Sequence, residues 1–380
     1  MFKMMKNALL CFILTFLFLN CSSSHHDFEG KNSEKEIIQE LEKIIAETLP
    51  KDRSISGLIL KDDKIIWSKA YGVSNMTTRS LADTATIYRT GSISKTFTAF
   101  LMMLLMQDSI IHLNDPVELY LPEIKKLKGY SDATKITFLQ LATHTSGLIR
   151  EPELLTAASG PIQQWENKVL QSIPTTSFEF TPGERYSYSN IGYGILGLAL
   201  SKAAHKPFTE LIQKRIFEPL HMNSSYFIIP NEKIADLSAG MQELSGGRVD
   251  TKTPLSEHDG RGYKVPNGGI YSTPNDLARF MLCLMGKSSP LLSDQNLAMM
   301  QKKLTVIGDQ NYYGIGLFIN QQEGLTIVNH GGAVAGYTAN FAFAKENQYG
   351  IVLMRNFADA EPDIFKLPFE MLDALNKIKE

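Results

Sequence analysis

The stretch YRTGSISKTFTAFLMMLL, residues 88–105, places two reactive side chains at the start of an apolar run. Ser92 and Lys95 are three residues apart, a spacing that puts both side chains on one face of a helix. The run over residues 97–106 predicts that this helix is buried. The pattern fits either a nucleophile beside its base or a polar cap on a core helix, and other motifs must separate the two readings.

Composition describes an ordinary globular protein. Of the 380 residues, 43% are hydrophobic and 21% are charged, which is enough for a sizeable core. A formal net charge of -2 gives no electrostatic reason to expect nucleic acid, which usually binds a basic surface. The sequence has no H-E-x-x-H pattern, Cys/His cluster or phosphate-binding glycine loop, so we expect no metal and no other cofactor. The oligomeric state is left open.

The first twenty residues are typical of a signal peptide and not of the fold. Lys3 and Lys6 precede an apolar run over residues 8–19, which is too short to span a bilayer comfortably. Cys21, followed by three serines, resembles a bacterial lipoprotein cleavage site, although Asn20 stands where that pattern usually has a small residue. We therefore expect export and a lipid anchor on Cys21, which would hold the protein at a membrane in the periplasm or at the cell surface.

The order of the predicted elements indicates an α+β fold. Residues 21–32 read as a polar tether, and a single domain follows over 33–380. A helix capped by Ser33, a hairpin turning at residues 61–64 and the Ser92 helix come first. Strands follow in the last third over YGIGLFI (313–319), GLTIVNHGG and YTANFAFAKENQYGIVLMRN, before a final helix. We expect an antiparallel sheet built from about 33–107 and 261–380, flanked by helices, with a mostly helical insertion over 108–260.

A second candidate motif is Tyr188-Ser189-Asn190, the only Y-x-N in the chain. In a short loop, residues i and i+2 can point into one cleft. There a tyrosine could exchange protons with a nucleophile and a leaving group, and an asparagine could hydrogen-bond a substrate amide. The same three residues are also common turn composition, so the motif alone favours a turn.

A third candidate motif is H-x-G, which occurs at His258 and again at His330. The first lies in the polar stretch LSEHDGRGYK, and we expect an ordinary loop histidine there. The second, His330-Gly331-Gly332, ends a predicted strand. A strand edge that a substrate approaches needs small residues, so we favour His330 with Gly332.

Ser-x-x-Lys, Tyr-x-Asn and His-x-Gly in this order resemble the serine β-lactamase and penicillin-binding protein superfamily. The similarity is to its class C branch, which includes D-alanyl-D-alanine carboxypeptidases and esterases. Supporting stretches between residues 37 and 356 include KAYGVSN, LNDPVELYLPE, ITFLQLATHTSGL and NGGIYSTPNDLARF. The resemblance implies a β-lactamase/transpeptidase-like fold.

The resemblance also implies a role for each matching residue. Ser92 would be the acylated nucleophile, Lys95 its proton partner and Tyr188 the general base and acid. Substrate binding would fall to Asn190, His330 and Gly332, and the oxyanion hole to the backbone N–H groups of Ser92 and Ala333.

The predicted function is that of an exported serine hydrolase acting through an acyl-enzyme on an amide or ester. Its small-molecule or peptide substrate would be a cell-wall D-Ala peptide, a β-lactam or an ester. Many β-lactamases have Lys-Thr-Gly at the third motif, whereas His330 would be mostly neutral near pH 7, which favours carboxypeptidase, esterase or amidase activity. Two alternatives remain: a penicillin- or peptidoglycan-recognising binding protein with little turnover, and an inert lipoprotein that reuses the fold as a scaffold.

Overall fold

The computed structural model describes residues 28–244, 247–288, 290–322, 324–358 and 360–378. The predicted signal peptide, Cys21 and most of the tether lie outside the described residues. The helices are α1 (Glu34–Thr48), α2 (Ser94–Gln107), α3 (Phe138–Ala142), α4 (Trp165–Ser172), α5 (Asn190–Ala204), α6 (Phe208–Ile212), α7 (Lys252–Ser256), α8 (Val265–Gly268), α9 (Pro274–Leu284), α10 (Asp294–Met300) and α11 (Leu367–Asn376). The strands are β1 (Ser54–Lys61), β2 (Lys64–Asn75), β3 (Ser80–Leu81), β4 (Tyr88–Arg89), β5 (Gln242–Leu244), β6 (Arg248–Asp250), β7 (Tyr271–Ser272), β8 (Thr305–Gly308), β9 (Asn311–Tyr313), β10 (Phe318–Gln322), β11 (Leu325–Val334), β12 (Tyr337–Ala344) and β13 (Tyr349–Arg355).

The main sheet joins the two ends of the chain. Within the described ranges it has nine strands in the order β3-β2-β1-β13-β12-β11-β10-β9-β8, and each neighbouring pair is antiparallel. At the centre, β1 pairs with β13 from Ile55 opposite Arg355 to Lys61 opposite Tyr349. The predicted fold class, an α+β protein with an antiparallel sheet flanked by helices, is confirmed.

One face of the sheet is covered by α1 and α11. Ser33 caps α1 as predicted, because its side chain accepts the backbone N–H of Glu36. Ile37 and Leu41, four residues apart on one helical face, pack with apolar side chains of β1, β13 and α11 in one buried cluster. The helices α1 and α11 thus cover the face of the sheet opposite the face on which α2 lies.

The other face holds α2, which is buried along nearly its whole length. A helix that is apolar on all sides must be surrounded by protein, and α2 packs against α5 and α8. Phe97 stacks on Phe280 of α9 with ring centroids 3.9 Å apart. The apolar run therefore places the start of α2, and with it Ser92, between the sheet and the helical region.

One prediction about local structure was wrong in part. Residues 313–319 are not one strand: β9 ends at Tyr313 and β10 begins at Phe318. Gly316 between them has φ +71°, and its carbonyl accepts the Thr96 hydroxyl of α2 at 2.8 Å. The segment leaves the sheet because it packs on α2 instead. The middle region, predicted as mostly helical, also contains the small β5–β6 hairpin and many 3₁₀ turns.

Candidate active site

Ser92 and Lys95 meet where the chain enters α2. Ser92 lies half-buried in the 3₁₀ turn Gly91–Ile93, and Lys95 lies fully buried in the first turn of the helix. The Nζ atom of Lys95 is 3.1 Å from Ser92 Oγ and 3.1 Å from the carbonyl oxygen of Asn267. A neutral amine satisfies both contacts, because it donates to the carbonyl and accepts the serine proton on its lone pair.

The surroundings favour the neutral form of Lys95. Burial is the main cause that holds the pKa of Lys95 well below its ordinary value, and the nearby cations Arg150, Lys264 and Arg261 lower it further. Glu151 acts in the opposite direction. Since one carboxylate faces three cations, the local charge disfavours an ammonium and favours Lys95 in the role of a base.

This lowered pKa predicts a rate of Ser92 acylation that rises with pH. Only the neutral amine can take the Ser92 proton, and its fraction grows tenfold per pH unit until the pH passes the pKa of Lys95, well below 10.5. Acylation by a fluorophosphonate, followed against pH, should therefore climb to an alkaline plateau. Lys95→Arg should lose both the activity and the rising limb, because a guanidinium stays protonated. A wild-type rate that fell across this range would contradict the assignment.

Tyr188 completes a three-residue contact. The Lys95 Nζ atom lies 4.8 Å from the centroid of the Tyr188 ring, and the guanidinium carbon of Arg150 lies 4.9 Å from the same centroid. Burial raises the pKa of Tyr188 to about 12, although its hydrogen bond with the Ser92 side chain opposes the shift. At neutral pH Tyr188 is thus a neutral phenol, which can donate a proton before it accepts one.

Asn190 is joined to the first motif through Asn267. Asn190 is the first residue of α5, where the Ser189 hydroxyl caps the helix by accepting the Gly192 N–H at 3.0 Å. The backbone carbonyl oxygen of Asn190 accepts a hydrogen bond from the Asn267 side-chain amide at 2.9 Å. The Asn190 side-chain Nδ2 donates to Glu151 at 2.6 Å. The carbonyl of Asn267 in turn holds Lys95. The Y-x-N motif is therefore both a helix start and a part of this cluster.

At the third motif, β11 lies against the Ser92 turn at a distance that only glycine permits. An added Cβ on Gly91 would lie 2.7 Å from the backbone N of Ala333, and one on Gly332 would lie 2.7 Å from the backbone N of Ser92. The amide groups of Ser92 and Ala333 are therefore close neighbours beside the Ser92 hydroxyl. Ala333 is exposed whereas Gly332 is buried, so the edge of the cleft runs along the strand here.

Gly332→Ala should lower both stability and the rate of acylation. The new methyl group would clash with the Thr90 carbonyl oxygen and press on the Ser92 amide, and such overpacking costs about 1–3 kcal/mol. Gly308→Ala is the control, because its Cβ would meet only Asn311 at an ordinary 3.7 Å. Thermal unfolding and fluorophosphonate labelling measure the two effects. Equal behaviour of the two variants would argue against a close packing of β11 on the nucleophile turn.

The His330 side chain lies within the protein, 1% exposed. Its Nδ1 is 2.7 Å from the carbonyl oxygen of Gly331, which can only accept, so Nδ1 carries the proton. Its Nε2 then accepts the Tyr313 hydroxyl at 3.2 Å. Burial lowers the pKa of His330 to about 3, with a further contribution from Lys95, so the ring stays neutral. The exposed residue of β11 beside the Ser92 turn is therefore Ala333, whereas His330 is enclosed.

His258, the other H-x-G histidine, lies in a 3₁₀ turn and is half-buried. Its Nδ1 is 2.7 Å from the Tyr271 hydroxyl, and its ring also faces Tyr337. Burial lowers the pKa of His258 to about 4. It is thus a packed residue rather than a free loop side chain, and its contacts run to tyrosines instead of Ser92 or Lys95.

Sequence reasoning did not single out Asn267, Glu151 or His144. Asn267 orients Lys95, Glu151 binds Asn190 and Lys264, and the buried His144 ring lies 4.2 Å from that of Tyr188. The available signal was indirect. The stretches NGGIYSTPNDLARF and ITFLQLATHTSGL resemble the superfamily but contain no motif of reactive side chains.

Over the described ranges, no group of three or more His, Cys, Asp or Glu side chains is arranged to hold a metal ion. In the same part of the chain, no helix has the length and apolar character needed to cross a bilayer.

The sequence and the fold are both similar to those of known proteins. The family described as Beta-lactamase matches residues 43–376, so the chain belongs to that family. Beta-lactamase-like protein 2 of Dictyostelium discoideum is 26% identical over 376 residues, covering 94% of this chain and 66% of that protein. Protein flp of Staphylococcus aureus (strain N315) is 29% identical over 330 residues, covering 84% of this chain and 63% of that protein. The chain thus spans just under two thirds of the length of these relatives.

Solved structures give the same result. The octameric penicillin-binding protein homologue from Pyrococcus abyssi superposes with a TM-score of 0.75 at 26% identity, covering 90% of this chain and 78% of that one. The penicillin binding protein from Bacillus halodurans superposes with a TM-score of 0.73 at 22% identity, covering 88% of this chain and 98% of that one, and supports the fold alone. Membership of this superfamily supports a function of the serine hydrolase type.

Proposed function

We propose that the protein is a serine acyl hydrolase that works through an acyl-enzyme on Ser92. The observation that carries the proposal is the 3.1 Å contact between Lys95 Nζ and Ser92 Oγ inside a buried, cation-rich setting. A structural helix cap would have no need of a buried lysine whose neighbours disfavour its charge.

In the first step, Ser92 Oγ bonds to the substrate carbonyl carbon while its proton passes to the neutral Lys95 amine. The carbonyl oxygen becomes an oxyanion, which the backbone N–H groups of Ser92 and Ala333 would stabilise. The bond to the leaving nitrogen or oxygen then breaks. Tyr188 donates the proton that the leaving group needs and recovers one from the Lys95 ammonium, a direction of transfer that its raised pKa favours.

Deacylation reverses these roles with water as the nucleophile. A water oxygen bonds to the acyl carbon and gives its proton to the amine of Lys95, directly or through Tyr188. The ester bond to Ser92 then breaks, and the serine oxygen recovers a proton, so that acid product and free enzyme result. The full cycle consumes one water and needs no cofactor.

The neutral His330 bears on the choice of substrate. A lysine at this place would attract the carboxylate of a β-lactam, whereas a buried imidazole of pKa about 3 offers no charge. We therefore propose esters or D-Ala peptides as better substrates than β-lactams.

The test is a turnover panel of short p-nitrophenyl esters, a D-Ala-D-Ala peptide and a chromogenic cephalosporin. Ester or peptide hydrolysis above the cephalosporin rate supports the proposal, and a dominant cephalosporin rate would overturn the substrate preference. Absence of both turnover and covalent labelling would overturn the hydrolase assignment itself.

A binding protein that acylates and then turns over slowly is the second candidate. It is favoured by the description of the Pyrococcus abyssi structure as that of a penicillin-binding protein homologue. Intact-protein mass spectrometry during the reaction separates the two functions. A hydrolase shows an adduct that decays with substrate consumption, whereas a binding protein shows a stoichiometric adduct that persists.

We further propose that the protein is exported and anchored by lipid on Cys21. The support is the sequence alone: two early lysines, the apolar run over 8–19 and a cysteine that follows the run after the single residue Asn20. Because a single acyl chain binds membranes only marginally, two or more chains on this cysteine would be needed. Mass spectrometry of the native N-terminus should find Cys21 first and acylated. Cleavage elsewhere with an unmodified cysteine would remove the anchor from the proposal.

A further inference from the structure

His144 holds the backbone on both sides of Tyr188. Its carbonyl oxygen accepts the N–H of Ser187 at 2.9 Å, and its Nδ1 accepts the N–H of Ser189 at 3.1 Å. The two amides flank the residue that carries the phenol. One histidine thus binds the backbone of the residue before Tyr188 and of the residue after it, and so restrains Tyr188.

The imidazole also packs directly on the ring of Tyr188. The ring centroids lie 4.2 Å apart with planes at 31°, and the Tyr193 ring lies 4.9 Å away on the same histidine. His144 is fully buried. Because Nδ1 accepts a backbone N–H, the proton must lie on Nε2, which has no hydrogen-bond partner among the described residues. Burial holds the pKa of His144 well below its ordinary value, so this neutral tautomer persists.

The backbone of His144 shows that the placement is demanding. Its φ of +58° lies in the left-handed region, which most side chains avoid and which asparagine and glycine accept readily. This conformation allows the carbonyl and Nδ1 of one residue to face the same segment. A residue here must therefore tolerate positive φ and carry an acceptor two bonds beyond Cβ.

We propose that His144 is a positioning residue for proton transfer, which fixes the Tyr188 phenol beside Ser92 and Lys95. The inference rests on the proposed serine hydrolase function and deepens it. His144 touches neither substrate nor the reacting atoms in this scheme. It acts through the two hydrogen bonds and the ring contact that set the direction of Tyr188.

The test compares His144→Gly with His144→Asn in the full-length protein. Both residues tolerate the positive φ, but only asparagine places an acceptor, Oδ1, at the position of Nδ1. Because a misplacement of about 1 Å can cost about 10²-fold, His144→Gly should lower kcat by about that factor. KM should change little. His144→Asn should recover most of the lost kcat. If the glycine variant does not fold, His144→Gln takes its place in the comparison with His144→Asn. The glutamine amide reaches the position of Nε2 and not that of Nδ1.

A double-mutant cycle with Tyr188→Phe separates positioning from general damage. If His144 acts through the phenol, its glycine variant should have little further effect once the hydroxyl is gone. The same loss of kcat in both backgrounds, or an asparagine variant no better than glycine, would overturn the inference. Fluorophosphonate labelling of the wild type at Ser92 distinguishes failure of this inference from failure of the proposed hydrolase function. Absence of labelling in the wild type would count against the hydrolase function itself.

Discussion

Ser92→Ala should abolish covalent labelling by fluorophosphonate or penicillin probes and reduce turnover to background. An acyl-enzyme needs a nucleophile on the protein, and the hydroxyl next to the Lys95 amine is the group placed to act as one. The fold should persist, because Ser92 is half-buried in a 3₁₀ turn and its hydroxyl contacts Lys95 and Tyr188 rather than the core. Intact-protein mass spectrometry and thermal unfolding measure the two expectations.

Ser94→Ala is the matched control, two residues further along. Its hydroxyl accepts the backbone N–H of Ile270 at 3.2 Å and contacts Thr90, so it is a buried structural serine. Loss of that acceptor should cost about 1–3 kcal/mol of stability while the probe still labels Ser92. Labelling that survives at the wild-type level in Ser92→Ala would refute the nucleophile assignment.

Tyr188→Phe should lower kcat by about 10²- to 10⁴-fold, the usual contribution of a positioned acid–base group. The ring and its packing on His144 remain, so the loss reports on the hydroxyl and not on the fold. Acylation and deacylation need not suffer equally, since Lys95 is itself 3.1 Å from Ser92 and can still take its proton. A burst of acylation followed by a persistent adduct would show that the phenol mainly serves deacylation.

Tyr186→Phe is the matched control for this second prediction. Tyr186 lies two residues earlier in the same segment, its ring also faces His144, and burial raises its pKa well above the ordinary value. Its hydroxyl has no role in the proposed proton path, so turnover should remain close to wild type. Near-normal turnover in Tyr188→Phe, with Ser92 still essential, would remove Tyr188 from the mechanism.

Local pattern was enough to predict the elements that carry the candidate site. Ser-x-x-Lys before a long apolar run placed Ser92 and Lys95 at the start of a buried helix. The β-rich composition of GLTIVNHGG predicted β11, and Ser33 predicted the start of α1. Such predictions succeed because hydrophobic periodicity and helix caps act between residues close in the chain.

Other features depend on contacts between distant segments and had no local signal. The carbonyl of Asn267 reaches Lys95 across 172 positions, and the ring of His144 meets Tyr188 from 44 positions earlier. Residues 313–319 have strand composition, yet Gly316 leaves the sheet to pack on α2. In each case a contact with a residue distant in the sequence determines the arrangement, and the local sequence does not reveal that contact.

Local pattern thus accounts for the fold class, the buried helix of Lys95 and the set of reactive side chains. The electrostatic state of those side chains depends on the tertiary structure. The neutral tendency of Lys95 comes from burial and from cations of two separate segments, Arg150 in one and Arg261 with Lys264 in the other, and burial keeps the His330 ring of β11 neutral. The desolvation and the charge that a group experiences depend on all atoms within several ångströms of it, however far apart these lie in the sequence. The pKa values are therefore set only when the chain is folded.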